Sequence, residues 1–300
     1  MRLICTNCSS PPTPADLKSG SIVRSGFFFR KSDYQKIQRY RCQACKRSFS
    51  RASFSFCFGQ NKRHLNESIF ILFSSAISKR RMGRILKIHP ITVARKLRFL
   101  GLKARMDHNE WLSNSFNSPE KKLLKIQFDE METSEHSKCK PLSIALAVDS
   151  KTRRILDIQV SVMPAKGRLA AISRKRYGPR PDQRQDGLHR LFNAITGLLD
   201  PKVEILSDQC PRYPSVVKIH CPSATHKTTK GGRGCIAGQG ELKKLHFDPL
   251  FALNHTAAML RANVNRLFRR TWCTTKNREA LLDHLWIFVM YHNHTLIRTK

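Results

Sequence analysis

The chain has 300 residues and carries 55 Lys and Arg against 21 Asp and Glu, a formal net charge of +34. Such an excess makes a long-range attractive field for polyanions and points to nucleic acid as the partner. It speaks against a membrane-spanning protein too, because the longest apolar run, 69–77, contains serines and is far too short to cross a bilayer. The first residues, Met1 to Thr6, lack the hydrophobic segment of a signal peptide, so an intracellular protein is expected. In a reducing compartment its ten cysteines stay reduced, and paired cysteines read as metal ligands before disulfides.

Taken in chain order, residues 1–56 hold two Cys-x-x-Cys knuckles, Cys5 with Cys8 and Cys42 with Cys45. Four thiolates suit one tetrahedral Zn²⁺, which lets a short segment fold without a large core. Gly20–Phe29 and Ile37–Cys42 read as hairpin strands feeding the knuckles. The alternative is four unrelated buried thiols, and two such knuckles rarely coincide by accident. The other six cysteines form no knuckle and read as small buried hydrophobes.

Residues 60–106 show helical spacing: Glu67–Ile77, then Lys79–Lys87 capped by Ser78, then Pro90–Leu100 with proline at its first position. This is the pattern of a helix-turn-helix DNA-binding domain. On the third helix Ile91, Ala94 and Leu97 are expected to face inward, and Thr92, Arg95, Lys96 and Arg98 outward into a major groove. An ordinary solvated basic helix is the plainer alternative. Residues 105–119, rich in Asn, Ser and Asp, read as a linker.

From 119 to 300 the periodicity changes. Strands are expected at Leu123–Asp129, Leu142–Val148, Arg154–Val162 and Val203–Ser207, with Asp149 in the hairpin turn. A basic loop is expected at 173–181, a helix from Gln183 to Leu199, and a helical C-terminal region from Asp248 onward. The order implies an α/β mixed sheet with flanking helices. The Gly-rich run 230–240 lacks the Lys-Ser/Thr ending of a phosphate-binding loop. Acids are scarce, so Asp129 and Asp208, each at the exit of an apolar strand, stand out. Carboxylates at strand ends within a polyanion-binding chain suit a divalent-metal phosphoryl-transfer site. Glu130 and Glu132 flank Asp129. Asp248 reads as a helix cap and, with Glu241, as a reserve ligand. His255 is a weak candidate for a phosphate contact.

At these residues the chain resembles a known family. Gln38 to Ser50 resembles the zinc ribbon that opens many small bacterial insertion-sequence transposases. Phe128 to Glu132, Leu206 to Tyr213 and Asn254 to Arg261 resemble that family's three catalytic blocks, and Arg266 to Lys276 the basic stretch that follows. The motifs are short, but their order is specific and spans nearly the whole chain.

The resemblance implies a ribonuclease H-like catalytic domain, with Asp129 on its first strand and Asp208 after its fourth. The third acid, usually glutamate from a later helix, falls on Asn254, and a branch with asparagine there resembles this chain better. Its amide oxygen can ligate Mg²⁺ but binds more weakly than a carboxylate. The expected function is a transposase that binds the terminal inverted repeats of an insertion sequence and cuts and joins DNA with two Mg²⁺ or Mn²⁺ ions. Arg266, Arg269 and Arg270 would track the DNA backbone. Double-stranded DNA, at the element ends and the target, is the expected partner. A dimer at least is expected on DNA, and the location is the bacterial cytoplasm at the nucleoid. Two other readings stay open: a catalytically impaired, transposase-derived DNA-binding regulator, for which Asn254 speaks, and a zinc-ribbon RNA-binding protein.

Overall fold

The computed structural model of the chain describes Cys5, Asn7, Cys8 and residues 22–31, 34–230, 248–268 and 272–297. The chain divides into two compact units, 1–68 and 69–300. Glu241, Arg269, Arg270 and nearly all of the Gly-rich run lie outside the described residues.

In the first unit β1 (Ile22–Arg30), β2 (Gln35–Cys42) and β3 (Ser48–Ser50) form an antiparallel sheet in that order. The β1–β2 register shifts between Arg24 and Phe27, where Gly26 takes a positive φ of 67° that glycine adopts without steric cost. Its small core joins Tyr40 and Phe49 to Cys5 and Cys42. So few buried side chains cannot offset the entropy of ordering the segment, which is the situation a structural metal relieves.

In the second unit three helices come first: α1 (Asn66–Phe73, which begins at the unit boundary), α2 (Lys79–Ile85) and α3 (Pro90–Ser115). Ser78 caps α2 by accepting from the Arg81 N–H, and Pro90 opens α3, as the residue types dictate. Contrary to expectation, α3 does not stop near Leu100. It runs on through the segment read as a linker, because Leu97, Leu100, Ala104, His108 and Leu112 continue a buried stripe at helical spacing.

A five-stranded sheet follows. Its strands are β4 (Leu123–Ser134), β5 (Pro141–Asp149), β6 (Ile155–Val162), β7 (Leu199–Asp208) and β8 (Thr225–Thr229), ordered β6-β5-β4-β7-β8. The β4–β5 and β5–β6 pairs are antiparallel; β4–β7 and β7–β8 are parallel. Helices α4 (Leu169–Tyr177), α5 (Arg184–Ile195), α6 (Tyr213–His220), α7 (Phe251–Asn263) and α8 (Arg278–Tyr291) flank it. Helix α4 occupies much of the stretch expected to be a basic loop.

One apolar cluster joins Leu142, Ile144, Leu146 and Val148 to α7 and α8; the other joins Ile126, Phe128, Ala145 and Ala147 to α5 and α6. Strand alternation therefore sends odd-numbered β4 residues around 127–131 toward α7 and even-numbered ones toward α6. Gly187 lets α5 lie close on β6, since a Cβ there would come within 2.0 Å of the Ser161 Oγ. Among the described residues no helix is long and apolar enough to cross a membrane.

Candidate functional site

Asp129 and Asp208 lie on neighbouring parallel strands. The pairing matches Ile126 with Ile205 and ends at Gln127 with Leu206, and each aspartate follows that last pair by two residues. Gln127 on β4 and Leu206 on β7 line one cleft with Pro249, just ahead of α7. The two aspartates are close enough that the Asp208 charge raises the Asp129 pKa.

Asp129 is half-buried. Its Oδ1 accepts from the Glu130 N–H at 2.7 Å and from the Tyr213 hydroxyl at 2.8 Å. Beyond Gln127 strand β7 no longer pairs with β4, and the Tyr213 oxygen accepts the Glu130 N–H at 3.1 Å in its place. Burial pushes the Asp129 carboxyl up to about 6, with the Asp208 charge adding to it; the two hydrogen bonds pull the other way. The same burial, with Asp129 beside it, raises the Tyr213 phenol far above its ordinary range. Asp208 holds the start of the following turn by accepting from the Cys210 N–H at 2.9 Å.

Glu130 points the other way. It pairs with Arg212 at 2.5 Å and accepts from the Ser143 hydroxyl at 2.6 Å, which makes it a brace between β4, β5 and α6. Glu132 is exposed and pairs with Lys166 at 2.6 Å. Asp149 closes the β5–β6 turn by accepting from the Lys151 N–H, the turn role that its sequence context suggests. The parts played by Arg212 and Tyr213 are not legible in the sequence, although both lie within Leu206–Tyr213; their place just after Asp208, at the start of α6, is the one signal of them.

Asn254 lies in the first turn of α7 and is exposed. That turn is fastened to the site strand by Gln127, whose amide donates to the Pro249 carbonyl at 3.0 Å and accepts from the Leu253 N–H at 2.9 Å. The Asn254 amide itself donates to Asp248 at 2.9 Å, and Asp248 also accepts from the Leu250 N–H as a cap would. Asp248 and Asn254 thus form one polar pair, leaving the amide oxygen as the group suited to a hard cation. His255 turns toward the β5–β6 turn, 3.5 Å from the Arg153 guanidinium.

The four cysteines gather in the first unit: their Sγ atoms all lie within 4.8 Å of one another. Cys5 and Cys45 are 3.5 Å apart and Cys8 and Cys42 3.8 Å. A zinc–sulfur tetrahedron, with bonds near 2.3 Å, has edges of about 3.8 Å, so the donor set fits one Zn²⁺. Burial raises the Cys5 thiol, but the Asn7 and Cys8 N–H groups and the facing thiols outweigh it and bring it down to about 7. Cys57, Cys139, Cys210, Cys221 and Cys273 lie outside this cluster.

The face of α3 expected to read DNA differs from expectation. Arg95 and Arg98 are exposed and Thr92 is half-buried, but Lys96 is only 3% exposed and Ile91 is exposed where it was expected inward. The helix is rotated from the expected setting because Val93, Lys96, Leu97 and Leu100 make its buried stripe. Arg98 is also drawn toward Asp283, 3.7 Å away. Arg266, expected on the surface, is 8% exposed.

No protein-family model and no curated protein matches the chain. Among solved structures, the chain is similar to one described as "Mos1 transposase paired-end complex with left transposon end", with 13% identity and a TM-score of 0.24 over 78% of this chain and 80% of that one. At that level the likeness carries no weight for the site, which stands on its own geometry.

Proposed function

We propose that the protein is a transposase that binds element ends through its zinc module and helix-turn-helix and cleaves and joins DNA at Asp129, Asp208 and Asn254. What supports this reading is the parallel β4–β7 pairing, whose last pair, Gln127 with Leu206, lies two residues before Asp129 and Asp208. With it go the Asp208 charge felt at Asp129 and the hold of Gln127 on the first turn of α7, which carries Asn254. β4 is the first strand of the five-stranded sheet in chain order and β7 the fourth, the positions that the resemblance assigns to the first two acids.

Two divalent cations at these oxygens would activate the attacking water or 3′-hydroxyl and stabilise the departing oxygen. The chain's own residues prepare the place. Tyr213 fixes one Asp129 oxygen and leaves the other for a ligand, while Arg212 and Glu130 hold the start of α6 against β4. Gln127 fixes the start of α7 and so the Asn254 backbone. Net charge attracts DNA independently of sequence, and Arg95 with Thr92 on α3 supplies groups able to read base edges.

The test is strand cleavage and transfer on DNA carrying the element's ends, with Mg²⁺ or Mn²⁺. Wild type is expected to cut and join, while Asp129→Ala and Asp208→Ala each lose all detectable product but still bind the ends. Wild-type protein that binds ends without cutting them supports instead a DNA-binding regulator, the reading favoured by the neutral Asn254 and its bond to Asp248. Mutants that cut as well as wild type remove the site from these residues.

A further inference from the structure

We propose that a cleft between α2, the turn after α7 and the first turn of α8 binds one phosphate group of a nucleic-acid backbone. This rests on the function proposed above and adds a separate anion site to it. The cleft encloses about 620 Å³ and is lined by Lys79 and Arg80 of α2, by Arg266 and by Lys276, with no carboxylate among the described lining residues.

Arg266 carries the inference. It sits in the tight turn Asn265–Leu267, is 8% exposed, and among the described residues its guanidinium makes no hydrogen bond or ion pair. A guanidinium drawn out of most of its water with no protein acceptor is costly, and an anion entering from the cleft would supply the acceptor. The nearby acid, Asp283, acts on Arg266 only through space and is 3.7 Å from Arg98.

The turn is not placed by chance. Asn265 donates to the Ala76 carbonyl at 3.3 Å and the Ile77 carbonyl at 2.9 Å, tying it to the α1–α2 loop and holding Arg266 beside Lys79. The two charges feel each other: burial first, then Arg266, holds the Lys79 ammonium below its ordinary range. An anion between them relieves both the repulsion and the missing hydrogen bonds. A tetrahedral phosphate matches the donors, with the planar guanidinium able to meet two oxygens and lysine a third. The cleft is wider than one free phosphate needs, which favours a phosphate with sugars attached on either side.

The test uses the full-length protein without added divalent cation and compares wild type with Lys79→Gln and Arg266→Gln. One arm titrates inorganic phosphate at constant ionic strength and follows the fluorescence of Trp272, which is fully exposed at the cleft. The other arm measures how duplex binding falls with salt. Phosphate is expected to bind wild type and to weaken roughly tenfold in each variant. The slope of log affinity against log salt should drop by about 0.9 per variant, one phosphate's worth of released counterions.

Equal phosphate titrations for wild type and Lys79→Gln would overturn the site. Because Lys79 is exposed, that comparison stands even if Arg266→Gln fails to fold. Weaker phosphate binding with an unchanged DNA slope would overturn the nucleic-acid source and leave free phosphate as the ligand. Wild type that binds no duplex at any salt would overturn the transposase reading and the nucleic-acid source with it, while the phosphate arm still decides whether the cleft takes an anion.

Discussion

Single side chains in this molecule are tuned by burial more than by charge. Asp129 keeps a high pKa although two donors serve it, because it lies half inside the sheet. His108 shows the opposite sign. Fully buried on α3, its Nε2–H donates to the Leu156 carbonyl at 3.0 Å, and burial holds the imidazole down to about 4. The unfolded chain takes up a proton near pH 6.5 that the folded one refuses until about pH 4. This contribution to stability is therefore present above pH 6.5 and lost as pH falls toward 4, by ~3 kcal/mol at most. Buried His284, held down to about 3 by burial and by Arg266, adds in the same direction. Denaturant unfolding of wild type and His108→Gln at pH 7 and at pH 5 should show a shallower pH dependence in the variant. Equal slopes would mean that His108 is not the titrating group.

Among the elements, α3 and α8 approach most closely where Gly101 meets Asp283; a Cβ at Gly101 would lie 2.6 Å from the Asp283 Cα. Gly101→Ala must push the helices apart, at a cost of about 1–3 kcal/mol, the usual range for overpacking. A thermal melt of the full chain should show this, and a melt unchanged from wild type would mean that the contact is loose. The sequence made β4, β5, β6 and the start of α7 readable, because their apolar periodicity is strong and turn residues bound them. It hid the length of α3: Asp107, Asn109 and Asn114 look like a linker, yet they decorate the solvent face of a helix whose other face stays apolar. It also hid β8, whose Thr-His-Lys-Thr-Thr has no buried face to signal a strand. Asp208 ends its strand as expected, but Asp129 sits mid-strand, because β4 runs on to Ser134 against β5 where the sequence pointed to an exit at Asp129. The parts of Tyr213 and Gln127 were not readable. Their roles depend on which strand neighbours which, and parallel pairing leaves little trace in local sequence.

The chain joins a small module, whose four gathered cysteines fit one Zn²⁺, to a larger unit with two apolar cores. The two should respond differently to a chelator. Stripping zinc, or changing Cys42 to Ser, is expected to unfold 1–68 and expose it to protease while 69–300 resists. Uniform resistance of both units after zinc removal would show that the four thiols hold the module without metal. The charge of +34 belongs to the same scale: under the proposed function, affinity for DNA is expected to fall steeply with salt whatever the sequence bound.

The unbroken course of α3 has a geometrical consequence. Thr92, on its first turn, and His108, bonded to the carbonyl of Leu156 on β6, are joined by one rigid rod with a span of about 24 Å. If the first turn grips DNA, the rod acts as a ruler, and the distance from the recognised bases to the aspartates is a length of helix. Such a protein would measure where to cut by counting base pairs from a fixed grip, with little need to read the bases at the cut itself.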